Sequence, residues 1–203
     1  MRALNIIVMA ALFIVIAACV PPSDGGTGGA GEPFVGGNVG LNLYLQNGLP
    51  PPTIFDGGSN PFAIGVVLEN IGESDIGPGT DNPFLQVRLE GLLPVNFDIT
   101  DSDLVQMPNV PLRGSKKNFD GTILPGEVNH VIYSPLNFMP ELPGNQVHTF
   151  RVVACYDYTN YATFLLCMKN DMLENVQDTT ICTMSGEKAV ANSGGPIHIT
   201  KVV

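Results

Sequence analysis

From Asn38 onward, large apolar residues tend to fall on every second position. Val39, Leu41, Leu43 and Leu45 alternate with Gly40, Asn42, Tyr44 and Gln46, and Phe62, Ile64, Val66 and Leu68 form a second run. Leu85, Val87 and Leu89 alternate with Gln86, Arg88 and Glu90. A period of two gives a strand one buried and one wet face, the mark of antiparallel sheets. Thr149 to Tyr158 and Thr163 to Met168 predict two further strands, with a turn near Thr159-Asn160. Pro33-Phe34, Pro61-Phe62 and Pro83-Phe84 each stand just before an apolar run. Proline fixes φ and lacks an N–H, so it suits the first residue of a strand. Helix signals are scarce: Thr100 is expected to cap a short turn through Asp101-Ser102-Asp103 into Leu104, and Asp171 to Asn175 is expected to form another. The pattern predicts an all-β body over residues 38–203, an antiparallel β-sandwich.

The first residues follow a different pattern. Arg2 is the only charge before an uninterrupted apolar run from Ile6 to Ala18. That run has the length of a signal-peptide core and falls short of the roughly 20 residues that span a bilayer. Counting Leu4 and Val20 brings it to the bottom of the spanning range, so an uncleaved hydrophobic anchor helix stays open. The run ends Ile16-Ala17-Ala18-Cys19, which resembles the lipobox of secreted lipoproteins. The resemblance implies that residues 1–19 are a signal peptide or membrane anchor and that Cys19 is lipidated, holding the chain to a membrane.

Residues 20–37 contain few large apolar side chains and many glycines. Such a stretch cannot bury enough surface to fold and is expected to be a flexible tether reaching roughly 20–25 Å. Within it, Gly26-Thr27-Gly28-Gly29-Ala30-Gly31 satisfies G-x-G-x-x-G literally. A dinucleotide site needs a strand before that motif and a helix after it. Here a signal-like segment precedes and Pro33 follows, so the match carries no nucleotide reading.

Composition agrees with the strand pattern. The chain has 203 residues, with Gly 23 and Pro 17, a density that argues against a helical bundle. Nineteen acidic side chains face nine basic ones, a formal net charge of −10. Processing before Cys19 would remove Arg2 and move the charge further negative. An acidic surface of this kind excludes a nucleic-acid partner, which requires a basic face.

Several turns carry a family likeness. Val67-Leu68-Glu69-Asn70-Ile71-Gly72, Ile123-Leu124-Pro125-Gly126-Glu127 before Val128 to Tyr133, and Pro143-Gly144 before Phe150 to Ala154 resemble turns of Ig-like surface domains of the CARDB type. Asn47-Gly48-Leu49-Pro50-Pro51 before Asn60-Pro61-Phe62 resembles their opening strand and loop. The tail, from Ala154-Cys155-Tyr156-Asp157-Tyr158 through Cys167 and Cys182 to Gly195-Pro196-Ile197-His198-Ile199-Thr200-Lys201-Val202, resembles a module of secreted surface proteins of small-genome archaea. The resemblance implies an Ig-like sandwich on an archaeal cell surface. It implies little about chemistry.

Cys155, Cys167 and Cys182 remain once Cys19 is set aside, and an exported chain favours disulfides. Cys167–Cys182 is the expected bridge, because it would staple a loose polar excursion by about 3 kcal/mol for a 15-residue loop. Cys155–Cys167 is the alternative pairing; in the first case Cys155 is expected to be buried beside Val153. No C-x-x-C pair occurs, so no zinc site is expected.

The acids Asp98, Asp101 and Asp103 form one loop cluster and Glu73, Asp75 and Asp81 another. The first is a weak candidate for Ca²⁺, which takes six to eight oxygen ligands, but it lacks the glycine and terminal glutamate of an EF-hand loop. Solvated turn acids are the simpler reading, and no metal or other cofactor is expected. Arg113, Lys116 and Lys117 form the one basic cluster and are expected to be a solvated loop. His130, His148 and His198 are far apart and are expected to be wet-face or cross-strand residues. No nucleophile elbow, zinc-protease or phosphate-loop motif occurs.

Tyr156, Tyr158 and Tyr161 gather near the expected hairpin and are candidates for stacking on a sugar or anchoring a partner. The function expected from these features is an exported, membrane-tethered cell-surface module, structural or adhesive and without catalytic activity. The alternative is a glycan-binding envelope lipoprotein using the tyrosines; a weaker alternative is a small hydrolase. Partners are expected to be the membrane, through the anchor or lipid, and an envelope protein or glycan. Self-assembly by donation of a terminal strand, Ile197 to Val203, is a further expectation.

Overall fold

The alternating segments do form strands in a computed structural model that describes residues 32–168 and 186–203. Residues 1–18, Cys19, the Gly26 to Gly31 run, Asp171 to Asn175 and Cys182 lie outside the described residues. The chain runs through β1 (Leu41–Leu45), β2 (Phe62–Asn70), β3 (Leu85–Glu90), β4 (Val105–Gln106) and β5 (Lys116–Lys117). It continues through β6 (Ile123–Leu124), β7 (Val128–Leu136), β8 (Arg151–Tyr156), β9 (Ala162–Phe164) and β10 (Val190–Asn192). The fold is all-β. Two three-stranded antiparallel sheets have the orders β1-β2-β7 and β4-β3-β8, and β5-β6 and β9-β10 form two-stranded ones. Among the described residues no helix is long and apolar enough to cross a membrane.

The core explains which positions alternate. Ile64, Val66 and Leu68 of β2 and Val131 and Tyr133 of β7 share one apolar cluster with Leu85, Val87 and Leu89 of β3. Tyr133 ties the two sheets together, its Oη donating to the Val87 carbonyl at 2.8 Å. Burial pushes its phenol well above the usual tyrosine range. β2 breaks the simple alternation, because Gly65 and Val67 are buried as well. The loop after β1 folds over its outer face: a Cβ on Gly65 would meet Gln46 Cβ at 2.9 Å and Leu49 Cβ at 3.1 Å.

Several expectations hold and others are corrected. β2 begins at Phe62, directly after Pro61, and β3 one residue after Phe84. No strand follows Pro33-Phe34 until Leu41. The turn over Asp101–Leu104 is a 3₁₀ helix, with the Thr100 N–H donating to Asp103 Oδ2 at 2.8 Å. The expected hairpin over Thr149 to Met168 is not formed. β8 pairs with β3, matching Leu85 to Tyr156 and Glu90 to Arg151, whereas β9 is shorter than expected and pairs with β10. β8 pairs with β3 because Val152, Ala154 and Tyr156 line up on one face beside the buried Leu89, Val87 and Leu85.

The tail is not a continuous closing strand. It makes an isolated bridge between Val202 and Lys188, and Ile199 is held by the Asn192 side chain. Residues 32–37, assigned to the tether by composition, are hydrogen-bonded to the body. Within residues 32–37 Phe34 and Val35 are half-buried, and the backbone of the stretch is held by side chains of the body. Lys117 Nζ donates to the Glu32 carbonyl at 2.8 Å, and Glu73 accepts the Val35 and Gly36 N–H groups. Cys155 is an exposed free thiol and not a buried hydrophobe, because it sits opposite Gln86 on the outer face of its sheet. Cys167 is in a disulfide; the expected pairing with Cys182 falls outside the described residues.

Candidate functional site

Two loops of opposite charge, distant in sequence, meet beyond the end of β2. The loop after β2 brings Asp75 and Asp81, the segment before β5 brings Arg113, and β5 itself brings Lys116. Together with Asn82 and Tyr161 they line a polar cleft of about 370 Å³.

The acidic loop is held in place by its own side chains. Ile76 and Leu112 exchange backbone hydrogen bonds at 3.0 and 2.8 Å, drawing the two loops together. Asn82 is buried, donates through Nδ2 to Ser74 Oγ at 2.8 Å and to the Asp75 carbonyl at 2.9 Å, and accepts from Thr159 Oγ1. Asn70 is buried where β2 ends and donates to the Ser74 and Leu112 carbonyls at 2.8 and 2.9 Å. Buried amides that bond backbone from two loops rigidify them, since breaking either bond strands a polar group.

Asp75 faces Lys116 at 3.0 Å and accepts the Gly114 N–H at 2.9 Å. Partial burial opposes its charge, but the Gly114 N–H, Lys116 and Arg113 outweigh that and hold its carboxyl below the usual range. A lowered folded pKa contributes stability that is present above the unfolded value near 3.8 and is lost as pH falls through the folded value. Asp75→Asn is therefore expected to flatten the acid limb of a urea-midpoint profile below about pH 4. The effect is small, about 0.5 kcal/mol, for a solvent-screened pair. An unaltered acid limb would remove the ion pair from the account.

Glu73 lies under the cleft and serves the backbone. Its Oε1 accepts the Val35 N–H at 2.9 Å, and its Oε2 accepts those of Gly36 at 3.1 Å and Gly194 at 2.5 Å. Tyr158 Oη accepts the Glu73 N–H at 3.0 Å and donates to the Gly194 carbonyl. Burial raises the Tyr158 phenol, and the N–H groups of Ser74 and Glu73 offset part of that rise.

The three tyrosines therefore separate. Tyr156 and Tyr158 pack edge to face at 6.0 Å and are turned inward. Tyr156 Oη accepts the Leu41 N–H. Tyr161 alone of the three is exposed, at 53 %, and it belongs to the cleft. The basic cluster separates too: Lys116 lines the cleft, and Lys117 fastens residues 32–34.

The remaining sites stay apart. Asp98 takes a left-handed φ of 55° after the turn Pro94–Phe97, and Asp103 is engaged by the Thr100 hydroxyl at 2.6 Å. With Asp101 they do not converge; among the described residues no group of three or more His, Cys, Asp or Glu is placed to hold a metal ion. His148 packs on Phe138 and Phe97, while His130 meets Gln46 and His198 meets the Gly37 carbonyl. Residue type alone does not mark Asn70 and Asn82 as pins; their place in Asn-x-Gly and Asn-Pro turns is the available signal. Compared with known proteins, the chain matches no family model, no curated protein and no solved structure.

Proposed function

We propose that this protein is an exported, membrane-tethered surface module that binds another envelope component and performs no catalysis. In this reading the two three-stranded sheets are the faces of an Ig-like β-sandwich of the CARDB type. The hydrophobic leader and lipidated Cys19 hold the chain at the cell surface, a Gly-rich tether lifts the body off the membrane, and a Cys167–Cys182 bridge closes the polar excursion. The observation that carries the reading is the cleft of Asp81, Arg113, Lys116 and Tyr161, set on loops that buried Asn70 and Asn82 hold rigid. Loops on a rigid all-β frame are where binding surfaces are built. Tyrosine and arginine are the residue types that dominate protein interfaces.

The detergent-extracted full chain, immobilised and exposed to envelope extract, is expected to retain a protein partner. Tyr161→Ala and Arg113→Glu should each weaken that retention about tenfold or more, the loss of a central interface contact. Retention untouched by both variants would remove the cleft from the reading. One observation favours a second reading, glycan binding: an exposed tyrosine stands beside carboxylate and amide groups that suit sugar hydroxyls. Retention on envelope polysaccharide, abolished by Tyr161→Ala, would select it.

A further inference from the structure

Among the described residues the β4-β3-β8 sheet ends on β8. β8 pairs with β3 on one side, and among the described residues nothing pairs with its other side. The Asp157 N–H donates to the Phe84 carbonyl. Alternate residues of an antiparallel strand point their backbone groups the same way. The odd-numbered residues of β8 thus face β3, and the N–H and C=O groups of Val152, Ala154 and Tyr156 face outward. The core thins toward this edge as well. Leu85, Val87 and Leu89 of β3 are 0–3 % exposed, whereas Val152, Ala154 and Tyr156 are only partly buried.

Other edges carry the features that discourage pairing. β7 includes Pro135 and a register shift against β2. β1 has its Leu41 N–H bonded to Tyr156 Oη and its Leu43 N–H to Asn42 Oδ1. β4 is two residues long. β8, Arg-Val-Val-Ala-Cys-Tyr, has no proline or glycine and one charge, which sits at its first residue. A sequence of this kind on an open edge recruits another strand.

We propose that β8 pairs with β8 of a second copy of this chain, joining the two β4-β3-β8 sheets into one continuous sheet across a two-fold axis. Centring the antiparallel register on Ala154 sets Val152 opposite Tyr156 of the second copy and satisfies all the outward groups with about six hydrogen bonds. The same register sets Arg151 opposite Asp157 of the second copy, at both ends of the joint. Both are exposed and, being odd-numbered, lie on the outer face, where Arg151 also pairs with Glu90 of its own β3. Self-complementary backbone and charge about one axis are what an isologous interface requires. A second copy is therefore the occupant that this edge fits. The joint is one strand wide, at the low end of interface sizes, so the dimer is weak and concentration-dependent. Val153 and the free thiol of Cys155 would face each other across it, placing the two Cys155 thiols within reach of a short bis-maleimide.

The test uses the full chain in detergent. Sedimentation between about 10 and 200 µM is expected to show a monomer–dimer equilibrium, and bis-maleimide is expected to trap a dimer that Cys155→Ser abolishes. Ala154→Pro, which removes an outward N–H without touching the β3 ladder, should abolish both signals. Asp157→Arg places like charges opposite each other and should weaken the dimer about tenfold. Adding Arg151→Asp together with Glu90→Gln, which removes the carboxylate now facing Arg151, should restore it. These surface variants keep the test decisive if Ala154→Pro does not fold. A chain that stays monomeric at 200 µM, or a dimer indifferent to Asp157→Arg and trapped equally well with Ala154→Pro, would overturn the proposal.

Discussion

Gly126→Ala is expected to lower the unfolding free energy by about 3 kcal/mol, in the range of overpacking at a site that cannot relax. Its Cβ would run into the Asn70 carbonyl oxygen and come within 3.0 Å of the Arg113 carbonyl oxygen. Neither is the free end of a side chain. The Arg113 carbonyl accepts the Glu127 N–H at 2.8 Å, and the Glu127 carbonyl accepts the Asn70 N–H at 3.0 Å. Glu127 Oε2 also accepts the Arg113 N–H at 2.9 Å. Moving any of these atoms breaks the junction between the end of β2, the start of β7 and the segment before β5. Urea denaturation monitored by circular dichroism measures the loss. Gly144→Ala, with nothing within 4 Å of its Cβ, is the matched control and should stay near wild type. A Gly126→Ala midpoint equal to that of the control would show that the junction yields.

Glu73→Ala should have an effect of similar size, about 3 kcal/mol, with a different signature. The carboxylate accepts three backbone N–H groups, from Val35, Gly36 and Gly194. Charge-assisted bonds of this kind contribute about 1.5–3 kcal/mol each when well shielded and less at a partly buried site. The loss should be local as well as global. Hydrogen exchange at the amides of residues 35, 36 and 194 should accelerate before the β2 and β3 amides respond. Glu73→Gln, which keeps one carboxamide oxygen, should fall between the two. Unchanged protection at these amides in Glu73→Ala would mean that Tyr158 and the Gly37–Gly195 backbone bond hold the segment by themselves.

Both residues belong to turns that are readable along the chain, yet their partners are not. Asn70-Ile71-Gly72 and Leu124-Pro125-Gly126-Glu127 read as separate turns, one after a strand and one before. In the folded protein they form one junction, with Gly126 lying flat on the Asn70 carbonyl. The strands β1, β2 and β3 are visible because alternation is a local property, while the strand from Val128 is read from its Leu-Pro-Gly-Glu turn. Pairing is not local. Thr149 to Tyr158 and Thr163 to Met168 are neighbours in sequence and suggested a hairpin, but the apolar face of β8 needs the buried face of β3, and that demand outweighs proximity. The cleft was invisible for the same reason. Its acids and its bases appeared as two solvated loops some forty positions apart, and the Ile76–Leu112 backbone pair brings them together.

Residues 32–37 show the limit from the other side. They close a Gly-rich stretch whose composition marks a tether. They are nevertheless part of the folded unit, since a carboxylate from position 73 and an ammonium from position 117 satisfy their backbone. The tyrosines divide in the same way: residue type suggested three equivalent contact groups, and packing turned two of them inward and left Tyr161 at the surface. The sequence alone determined that the body is all-β, where its main strands lie and that its charge is strongly negative, because periodicity and composition are carried by each segment independently. Tertiary structure decided which strands pair, how residues 32–37 are held and which side chains meet in the cleft, because each of these depends on contacts between segments that the chain order does not bring together.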